Sequence, residues 1–360
     1  MLRKVFFFLL AAGTTTGIFA QDTTAAAEES CGKSLNISGT LDVYYRYDFG
    51  KTSGNNLTSF TGSHNSFELG MASVKIDKSF GKVSMVADIG FGKRAADFSY
   101  NDEGAMAAIK QLYVSYAPAD WIKFTMGSWA THVGYELVDP MPNKNYSMSY
   151  MFSYGPFFHT GLKAEVTKGK HGFMLGVSNP TDYKFVPEGG LNKKFLIAQY
   201  SYVPGDKFAA YLNFVSGQNP DTTKGNQVDL VMTTALSDKV SLGFNGTVNS
   251  YKDYSNGKFT ESASWWGSAL YINYDASPKV GLTLRNEYLS DAKGRLFFGN
   301  FTDGGGIFAT TLTANLKVAD CFKIVPELRM DNASQNIFSK SSGAGTKSTM
   351  GGLVAAVFVF

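Results

Sequence analysis

The feature that most constrains the fold is a two-residue alternation of apolar and polar side chains that recurs along most of the chain. From Leu35 to Phe49, every second residue is apolar or small, and most residues between them are polar. Because side chains on a β-strand alternate between two faces, this pattern predicts a strand, and one that is long for a soluble sheet. The alternation returns in the stretches 83–91, 122–126, 158–166, 196–202, 208–214, 228–232, 240–244, 268–274, 280–284, 308–316, 322–330 and 350–360.

The connections between these stretches are alternately short and long. The short ones are 77–82, 117–120, 167–170, 203–206, 237–238, 276–278 and 318–321; the long polar ones are about 50–65, 93–104, 131–157, 180–192, 218–225, 251–263, 291–305 and 332–345. Outer-membrane barrels alternate in this way. The pattern predicts an all-β fold, a transmembrane antiparallel β-barrel of about 16 strands with short periplasmic turns, long extracellular loops and periplasmic termini. Barrels of this size enclose an aqueous channel.

The composition fits a barrel in a lipid bilayer. Hydrophobic residues make up 44% of the chain, and charged residues, at 18%, fall below the roughly 25% of a typical soluble domain. After the N-terminus, no apolar run approaches the roughly 18 residues that a membrane-spanning helix needs. A soluble β-sandwich is the alternative. Aromatic residues at the ends of the predicted outward faces favour the barrel, which carries such girdles at the membrane interfaces: Tyr45, Tyr47, Tyr116, Tyr200, Tyr202, Tyr274, Phe322 and Phe358.

The N-terminus predicts export to the bacterial outer membrane. Residues 1–20 have the pattern of a secretory signal peptide, with Arg3 and Lys4 before an apolar run and cleavage after Ala20. Residues 21–34 are then a short periplasmic segment, and residues 35–360 form the barrel. Removing the signal leaves 33 − 2 = 31 basic against 30 acidic side chains, a net charge of about +1 that gives no basic field for nucleic acid.

Two stretches have an irregular register. The apolar residues change from odd to even positions after Met71, which predicts a β-bulge between Phe67 and Asp77. In 107–117, Lys110 falls on the apolar face, which a barrel tolerates near its outer rim.

The two cysteines are expected at one rim of the barrel. Cys31 precedes the first strand, and Cys321 lies in the last periplasmic turn. In a closed barrel the first strand neighbours the last, and exported proteins keep disulfides. We predict a Cys31–Cys321 disulfide, which requires the two Cα atoms to approach within about 7 Å. Two free thiols are the alternative.

The sequence predicts neither an enzyme nor a cofactor. The histidines His64, His132, His159 and His171 lack the spacing of metal ligands. A hydrolase would need Ser, His and an orienting group, and His159 with Ser147 or Ser149 is the one candidate that can be assembled. A hydrogen-bonded lumen or loop histidine is the alternative.

Several motifs carry a resemblance to a known family. They are Gly134-Tyr135-Glu136, Asn145-Tyr146-Ser147-Met148-Ser149-Tyr150, Gly155-Pro156-Phe157-Phe158-His159-Thr160-Gly161, Arg285-Asn286-Glu287-Tyr288-Leu289-Ser290-Asp291 and Lys323-Ile324-Val325-Pro326-Glu327-Leu328-Arg329. Over nearly the whole mature chain, the sequence resembles the OmpL-like β-barrel porin-2 family, which implies an outer-membrane porin and leaves its solute open. In addition, Phe360 at the end of the last strand resembles the signal read by the outer-membrane assembly machinery.

The first two motifs and the start of the third lie in the longest predicted loop, 131–157. In general porins the third loop folds into the barrel, and similarity of position implies a constriction formed by Glu136, Asp139, Asn143, Lys144 and Asn145. The polar strand faces would supply the opposite wall through Arg46, Lys123, Lys163, Glu165, Arg285, Glu287, Glu327 and Arg329. Opposed charges across a pore orient polar solutes. The alternative is an outward loop with ordinary lumen salt bridges. Pro140 and Pro142 predict a loop without strand or helix.

These expectations combine into a porin that lets small hydrophilic solutes diffuse passively across the outer-membrane lipid. Analogy with general porins adds a homotrimer. The alternative is a non-conducting barrel that acts as a structural or adhesive protein through its extracellular loops. Lumen polarity separates the two: Thr311 and Thr313 favour an open pore, whereas Leu353 and Val357 on the last strand do not.

Overall fold

The computed structural model describes residues 35–360 except 221–222, 292, 294–295, 300 and 302. In this part of the chain, sixteen antiparallel strands form a barrel that is closed by pairing of the first strand, Asn36–Asp48, with the last, Ser348–Val359. The predicted sixteen-stranded antiparallel barrel is thus confirmed. The predicted signal peptide, the segment 21–34 and Cys31 lie outside the described residues.

The strands are numbered in chain order, and two pairs of very short strands belong to the long connections. The barrel strands are β1 (Asn36–Asp48), β2 (Ser66–Phe80), β3 (Val83–Phe91), β4 (Ile109–Ala119), β5 (Ile122–Ala130), β6 (Phe158–Lys168), β7 (His171–Ser178), β8 (Phe195–Gly205), β9 (Phe208–Gln218), β10 (Lys224–Ala235), β11 (Val240–Lys252), β14 (Ala263–Ser277), β15 (Val280–Asp291), β16 (Gly305–Ala319), β17 (Phe322–Ala333) and β20 (Ser348–Val359). Two ribbons outside the barrel pair β12 (Tyr254–Ser255) with β13 (Lys258–Phe259) and β18 (Phe338–Ser339) with β19 (Gly345–Thr346).

The alternation of the sequence becomes an apolar outer face and a polar inner face. On β2, for example, Phe67 and Leu69 are 87% and 75% exposed. On the neighbouring β1, the inner-face residues Asp42, Arg46 and Asp48 are all buried. Buried charges of this kind need partners inside the lumen, because an ion in a low-dielectric environment is costly unless it is paired.

The predicted bulge on β2 lies at Gly70. Asp42 on β1 pairs with Met71, and the next residue, Val43, pairs with Leu69, so Gly70 is the extra residue. The insertion turns Met71 to the inside, where it is 2% exposed. The bulge is confirmed, and the outward position expected for Met71 is wrong, because the face switches one residue earlier.

A second bulge changes the position of Lys110. Between β3 and β4, Asp88 pairs with Gln111 and Ile89 with Ile109, which leaves Lys110 as the extra residue. Its side chain is buried, with Nζ 3.2 Å from Asp88 and 2.6 Å from Asp139. The expectation that Lys110 shares the apolar face near the outer rim is therefore wrong, because the bulge reverses the side of the sheet on which it lies.

The long connections contain the few helices. These are α1 (Lys93–Phe98), α2 (Tyr150–Tyr154) and the 3-10 turns Ser53–Asn55, Gly104–Ala108 and Glu188–Gly190. The expectation of a helix-free loop 131–157 is wrong at α2, which begins eight residues after Pro142, where Ser149 caps it by accepting a hydrogen bond from the Phe152 N–H. Among the described residues, no helix is both long and apolar enough to cross a membrane.

The long connections also bury apolar side chains against one another. Phe60, Phe98, Val138, Met148, Phe152, Phe157 and Phe158 form one cluster, called the loop cluster below. It joins the connections after β1, β3 and β5, together with the first residue of β6. A second cluster packs Tyr150 and Met151 against the inner faces of β14 to β17. The long-loop end of the barrel is therefore tightly packed.

Candidate pore-lining site

Segment 131–157 contacts inner-face side chains of many strands. Near its start, the Gly134 N–H donates to Asp229 on β10 over 3.0 Å, and His132 Nε2 lies 3.3 Å from the carbonyl oxygen of Phe214 on β9. Because a carbonyl only accepts, Nε2 of His132 carries the proton in this contact. Burial lowers the pKa of His132 to about 4, so this imidazole is neutral at pH 7.

Further along, the main chain of the segment follows β17. At the long-loop end of β17, Tyr150 Oη donates to Asp331 over 2.8 Å, and Arg329 donates to the Met148 carbonyl over 2.9 Å. The Arg329 guanidinium also lies over the Tyr150 ring, 4.8 Å from its centroid. These contacts fix the part of the segment where α2 begins.

The middle and the tip of the segment are bound lower on the same strand. Glu327 accepts hydrogen bonds from the N–H groups of Tyr146, at 2.9 Å, and Ser147, at 3.1 Å. Lys323 Nζ donates to carbonyl oxygens in the turn 140–143. Since Lys323 is the second residue of β17 and Asp331 lies near its end, the segment is bound over most of the height of the barrel.

Glu136 and Arg285 form the main charged contact between the segment and the wall. Glu136 Oε1 lies 2.6 Å from Arg285 Nη1, and both side chains are buried. The Arg285 guanidinium also donates to the Ser147 carbonyl over 2.7 Å and lies 3.4 Å from Glu287. Glu287 in turn accepts from the Tyr150 N–H over 2.7 Å. Each charge is neutralised by a partner, as a buried ion pair requires.

The other residues expected at a constriction have separate partners. Asp139 pairs with Lys110 on β4. Asn145 donates to Thr313 on β16 over 2.6 Å, and the Lys144 carbonyl accepts from Asn315 over 2.7 Å. Asn143 contacts Leu137 within the segment, accepting from its N–H and donating to its carbonyl. Glu136, Asp139, Lys144 and Asn145 therefore meet the wall on β15, β4 and β16, whereas the Asn143 side chain bonds within the segment.

The residues expected on the opposite wall fall into three groups. Arg285, Glu287, Glu327 and Arg329 lie on β15 and β17 and bind segment 131–157 as described above. Lys123, Lys163 and Glu165 form a ladder on β5 and β6, with Nζ–Oε distances of 3.0 and 3.4 Å to Glu165. Arg46 donates to the Ser63 carbonyl and contacts Asp48, so it holds the first long connection instead of the segment.

Arg94 of α1 is a buried contact that the alternation pattern does not reveal. It is fully buried, and its guanidinium lies 5.1 Å from the Phe60 ring and 4.7 Å from the Tyr146 ring. Its Nε is 3.8 Å from Asp42 on β1, which also accepts a hydrogen bond from Tyr146. Arg94 lies in a polar connection without periodicity. Its contact with segment 131–157 is therefore visible only in the three-dimensional structure.

The connection 179–194 binds the end of segment 131–157. Asp182 accepts from the N–H groups of Phe157, at 2.7 Å, and Phe158, at 3.0 Å, and from Tyr100 Oη at 3.0 Å. Burial raises the pKa of Asp182 to about 6. Next to it, Lys184 pairs with Asp102 at 3.0 Å, and burial lowers the pKa of Lys184.

The possible hydrolase residues do not form a catalytic arrangement. His159 Nε2 contacts Thr131 at 3.1 Å, Ser147 Oγ accepts from Arg285, and Ser149 caps α2. The serine–histidine pairing expected for a nucleophile is thus replaced by three separate structural contacts. The part of the chain that the structure describes also contains no group of three or more His, Cys, Asp or Glu residues placed to hold a metal ion.

Comparison with known proteins gives the family and the fold. The family model described as OmpL-like beta-barrel porin-2 matches residues 34–360. No curated protein sequence matches significantly. Among solved structures, the outer membrane channel DcaP of Acinetobacter baumannii aligns with a TM-score of 0.62 at 11% identity, over 94% of this chain and 100% of that one.

Two further structures have the same fold. The anion-selective porin from Comamonas acidovorans has a TM-score of 0.58 at 10% identity, covering 91% of this chain and 99% of that one. OmpT, an outer membrane protein of Vibrio cholerae, in its trimer form has a TM-score of 0.57 at 9% identity, with the same coverage. At such identities the likeness shows the fold alone, whereas the family match spans the barrel. The chain belongs to the OmpL-like beta-barrel porin-2 family of outer-membrane barrels.

Proposed function

We propose that this protein is a porin: a water-filled channel through which small hydrophilic solutes diffuse passively across the outer membrane. The observation that carries the proposal is the closed sixteen-stranded barrel with an apolar outer face and a charged, polar inner face. A barrel of this size has room for an aqueous path, and membership in a porin family supports the same function.

Segment 131–157 is the proposed constriction. Its hydrogen bonds to β10, β15, β16 and β17 hold it against the inner wall, so it reduces the cross-section open to solutes. Most of its charged contacts are neutralised pairs. The Lys123 and Glu165 side chains are 28% and 20% exposed, and they are the proposed solute-facing charges. Paired charges of both signs predict weak ion selectivity.

A non-conducting barrel is the second candidate, and the loop cluster favours it. Phe60, Phe98 and Met148 are each at most 1% exposed, so this part of the long-loop end excludes water. If the packing is continuous across the lumen, the protein acts through its outer surface as a structural or adhesive barrel.

Liposome swelling separates the two candidates. Purified protein in phospholipid vesicles should allow swelling in isotonic arabinose or glycine at rates above those of protein-free vesicles, and the rate should fall as solute size increases. A raffinose-type trisaccharide provides the size control. Swelling no faster than that of empty vesicles for every solute would favour the non-conducting barrel.

The orientation and the assembly are further parts of the proposal. The short turns face the periplasm, and the long connections face the exterior, as in other outer-membrane barrels. A homotrimer is supported by the trimer form of the structurally similar OmpT. Biotinylation of a cysteine substituted for exposed Lys258 on intact cells tests the orientation, and native mass spectrometry in detergent tests the trimer.

A further inference from the structure

Lys323 holds the tip of segment 131–157 by an unusual set of contacts. Its Nζ donates to the carbonyl oxygens of Pro140 at 3.2 Å, Met141 at 2.9 Å and Asn143 at 3.1 Å, and to the Asn315 side-chain oxygen at 3.1 Å. The side chain is 5% exposed. These four acceptors are neutral, and none is a carboxylate.

This arrangement ties main-chain atoms to one point of the wall. An ammonium has three hydrogens to donate, and the three carbonyls converge on it from one turn of the segment. The acceptors in the turn are main-chain carbonyls, which every residue type carries. The contact therefore depends on the Lys323 side chain and on the path of the main chain in the turn, and not on the side chains of the turn. Buried carbonyls that lost this donor would be left without a hydrogen bond, so the turn would move towards water.

The other anchors on the same strand lie higher in the barrel. Glu327 and Asp331 bind residues 146–147 and Tyr150, towards the long-loop end. Beside the tip, Asp139 pairs with Lys110, the Lys144 carbonyl accepts from Asn315, and Asn145 donates to Thr313. Within 140–143, Met141 packs against a buried cluster on β1, β17 and β20, and Lys323 supplies the hydrogen bonds to the wall. Loss of Lys323 should thus free the tip while the upper half of the segment stays bound.

We propose that Lys323 is the positioning residue that sets how deeply the tip 140–143 lies in the barrel, and thereby the width of the solute path. The effect on solute flow rests on the proposed channel function, but the anchoring does not. Lys323 does not need to touch the solute, since it acts through the main chain of the segment.

The matched variants are Lys323→Met, Lys323→Arg and Lys317→Met. Methionine keeps most of the side-chain volume and removes the donors, whereas arginine keeps a cation with several donors. Lys317 pairs with Lys323 across β16 and β17 and is exposed, so Lys317→Met removes a neighbouring charge without removing the anchor. Folding of each variant is checked by its heat-dependent migration in gels.

Two readouts are used on the folded, purified protein. In planar bilayers, K323M should conduct about twofold more than wild type, because the tip no longer fills its part of the lumen. K323R and K317M should stay near wild type. Limited trypsin digestion followed by mass spectrometry should show cleavage after Lys144 in K323M and not in the other three proteins.

The two readouts separate this proposal from the channel function. Cleavage after Lys144 in K323M supports the anchor even if wild type gives no conductance. In that case the proposed channel function is contradicted, and the anchoring role of Lys323 stands. A K323M protein that is folded, conducts like wild type and remains uncut at Lys144 would overturn the proposal. Equal cleavage of K317M would overturn it as well, because charge removal and not loss of the anchor would then free the tip.

Discussion

The ion pair between Glu136 and Arg285 joins segment 131–157 to the barrel wall on both sides of the tip. The Glu136 carboxylate lies 2.6 Å from the Arg285 guanidinium, and its second oxygen accepts from the Ser149 N–H over 2.7 Å. Arg285 donates to the Ser147 carbonyl at the same time. Residues on either side of the tip are thus held together by one buried charge pair, which makes segment 131–157 part of the fixed wall.

This pair predicts an unequal response to the loss of each partner. Arg285→Met should destabilise the barrel by about 3–5 kcal/mol, because it leaves the buried Glu136 without its cation, whereas Glu287 keeps Arg329 at 3.2 Å. Glu136→Gln should cost less, since Arg285 retains Glu287. Urea unfolding in detergent micelles, followed by tryptophan fluorescence, measures both changes.

The control for these variants is Lys93→Met, which breaks an exposed pair with Asp97 on one turn of α1. An exposed pair contributes at most about 1 kcal/mol, so K93M should change the unfolding free energy little. Equal losses for R285M and K93M would contradict the structural role assigned to the buried pair.

Asp182 predicts a specific pH dependence. Its folded pKa, raised to about 6 by burial, lies above its ordinary value of 3.8, so the folded state binds the proton more tightly than the unfolded state. The resulting stabilisation is complete below about pH 4 and is lost as the pH rises through about 6. In the Asp182→Asn variant, the side chain at position 182 has no proton to bind or release in this pH range. The stability of wild type minus that of D182N should therefore fall by about 2 kcal/mol between pH 4 and pH 7.

Unfolding curves of wild type and D182N at several pH values measure this difference directly. Glu188→Gln, which removes an exposed carboxylate from the same connection, is the control. Subtracting the D182N curve cancels contributions common to both proteins, such as that of His132. A difference that increased with pH would show that the sign is wrong.

Gly127 on β5 should not tolerate a side chain. Its φ is 133°, and an added Cβ would lie 2.2 Å from the Leu112 carbonyl oxygen on β4. Gly127→Ala is expected to cost more than about 1 kcal/mol or to lower the folding yield, since both the backbone and the space are unsuitable. Gly62→Ala, at an exposed site with no atom within 4 Å of the new Cβ, should fold like wild type. Refolding yield on gels compares the two.

The Cys31–Cys321 disulfide stays a prediction, because Cys31 lies outside the described residues. Cys321 lies in the short turn between β16 and β17, at the rim where β1 begins. Mature protein isolated without reductant should contain no reactive thiol and should gain two after reduction. Thiol labelling with mass spectrometry would count them, and two labelled cysteines before reduction would rule the bridge out.

The sequence was sufficient to predict the barrel because lipid and lumen impose opposite chemistry on alternate residues. Phe67 and Leu69 show this period directly, and the alternating connection lengths determine the strand number. The bulge at Lys110 and the helix α2 were missed, and the bulge in 67–77 put Met71 on the wrong face. One inserted residue reverses a face, and neither Gly70 nor Lys110 differs in type from residues in regular strands.

The contacts inside the barrel were harder to predict, because inner-face polar residues look alike in sequence. Lys323 shares the inner face of β17 with Glu327 and Arg329, and nothing in the sequence pattern shows that it binds carbonyls. Arg94 lies in a connection with no period at all. Such partners depend on how the loops fold back, which is set by packing between residues far apart in the chain.

The central claim, that the lumen is an open aqueous path, is tested most directly by single-channel recording. Purified wild-type protein is added to a planar phospholipid bilayer in 1 M KCl, a salt concentration that screens the surface charge, with a detergent-only addition as the control. We predict discrete, repeated conductance steps of uniform size, with weak preference between K⁺ and Cl⁻. A folded and inserted protein that gave no steps above the detergent control would contradict the channel and leave the non-conducting barrel.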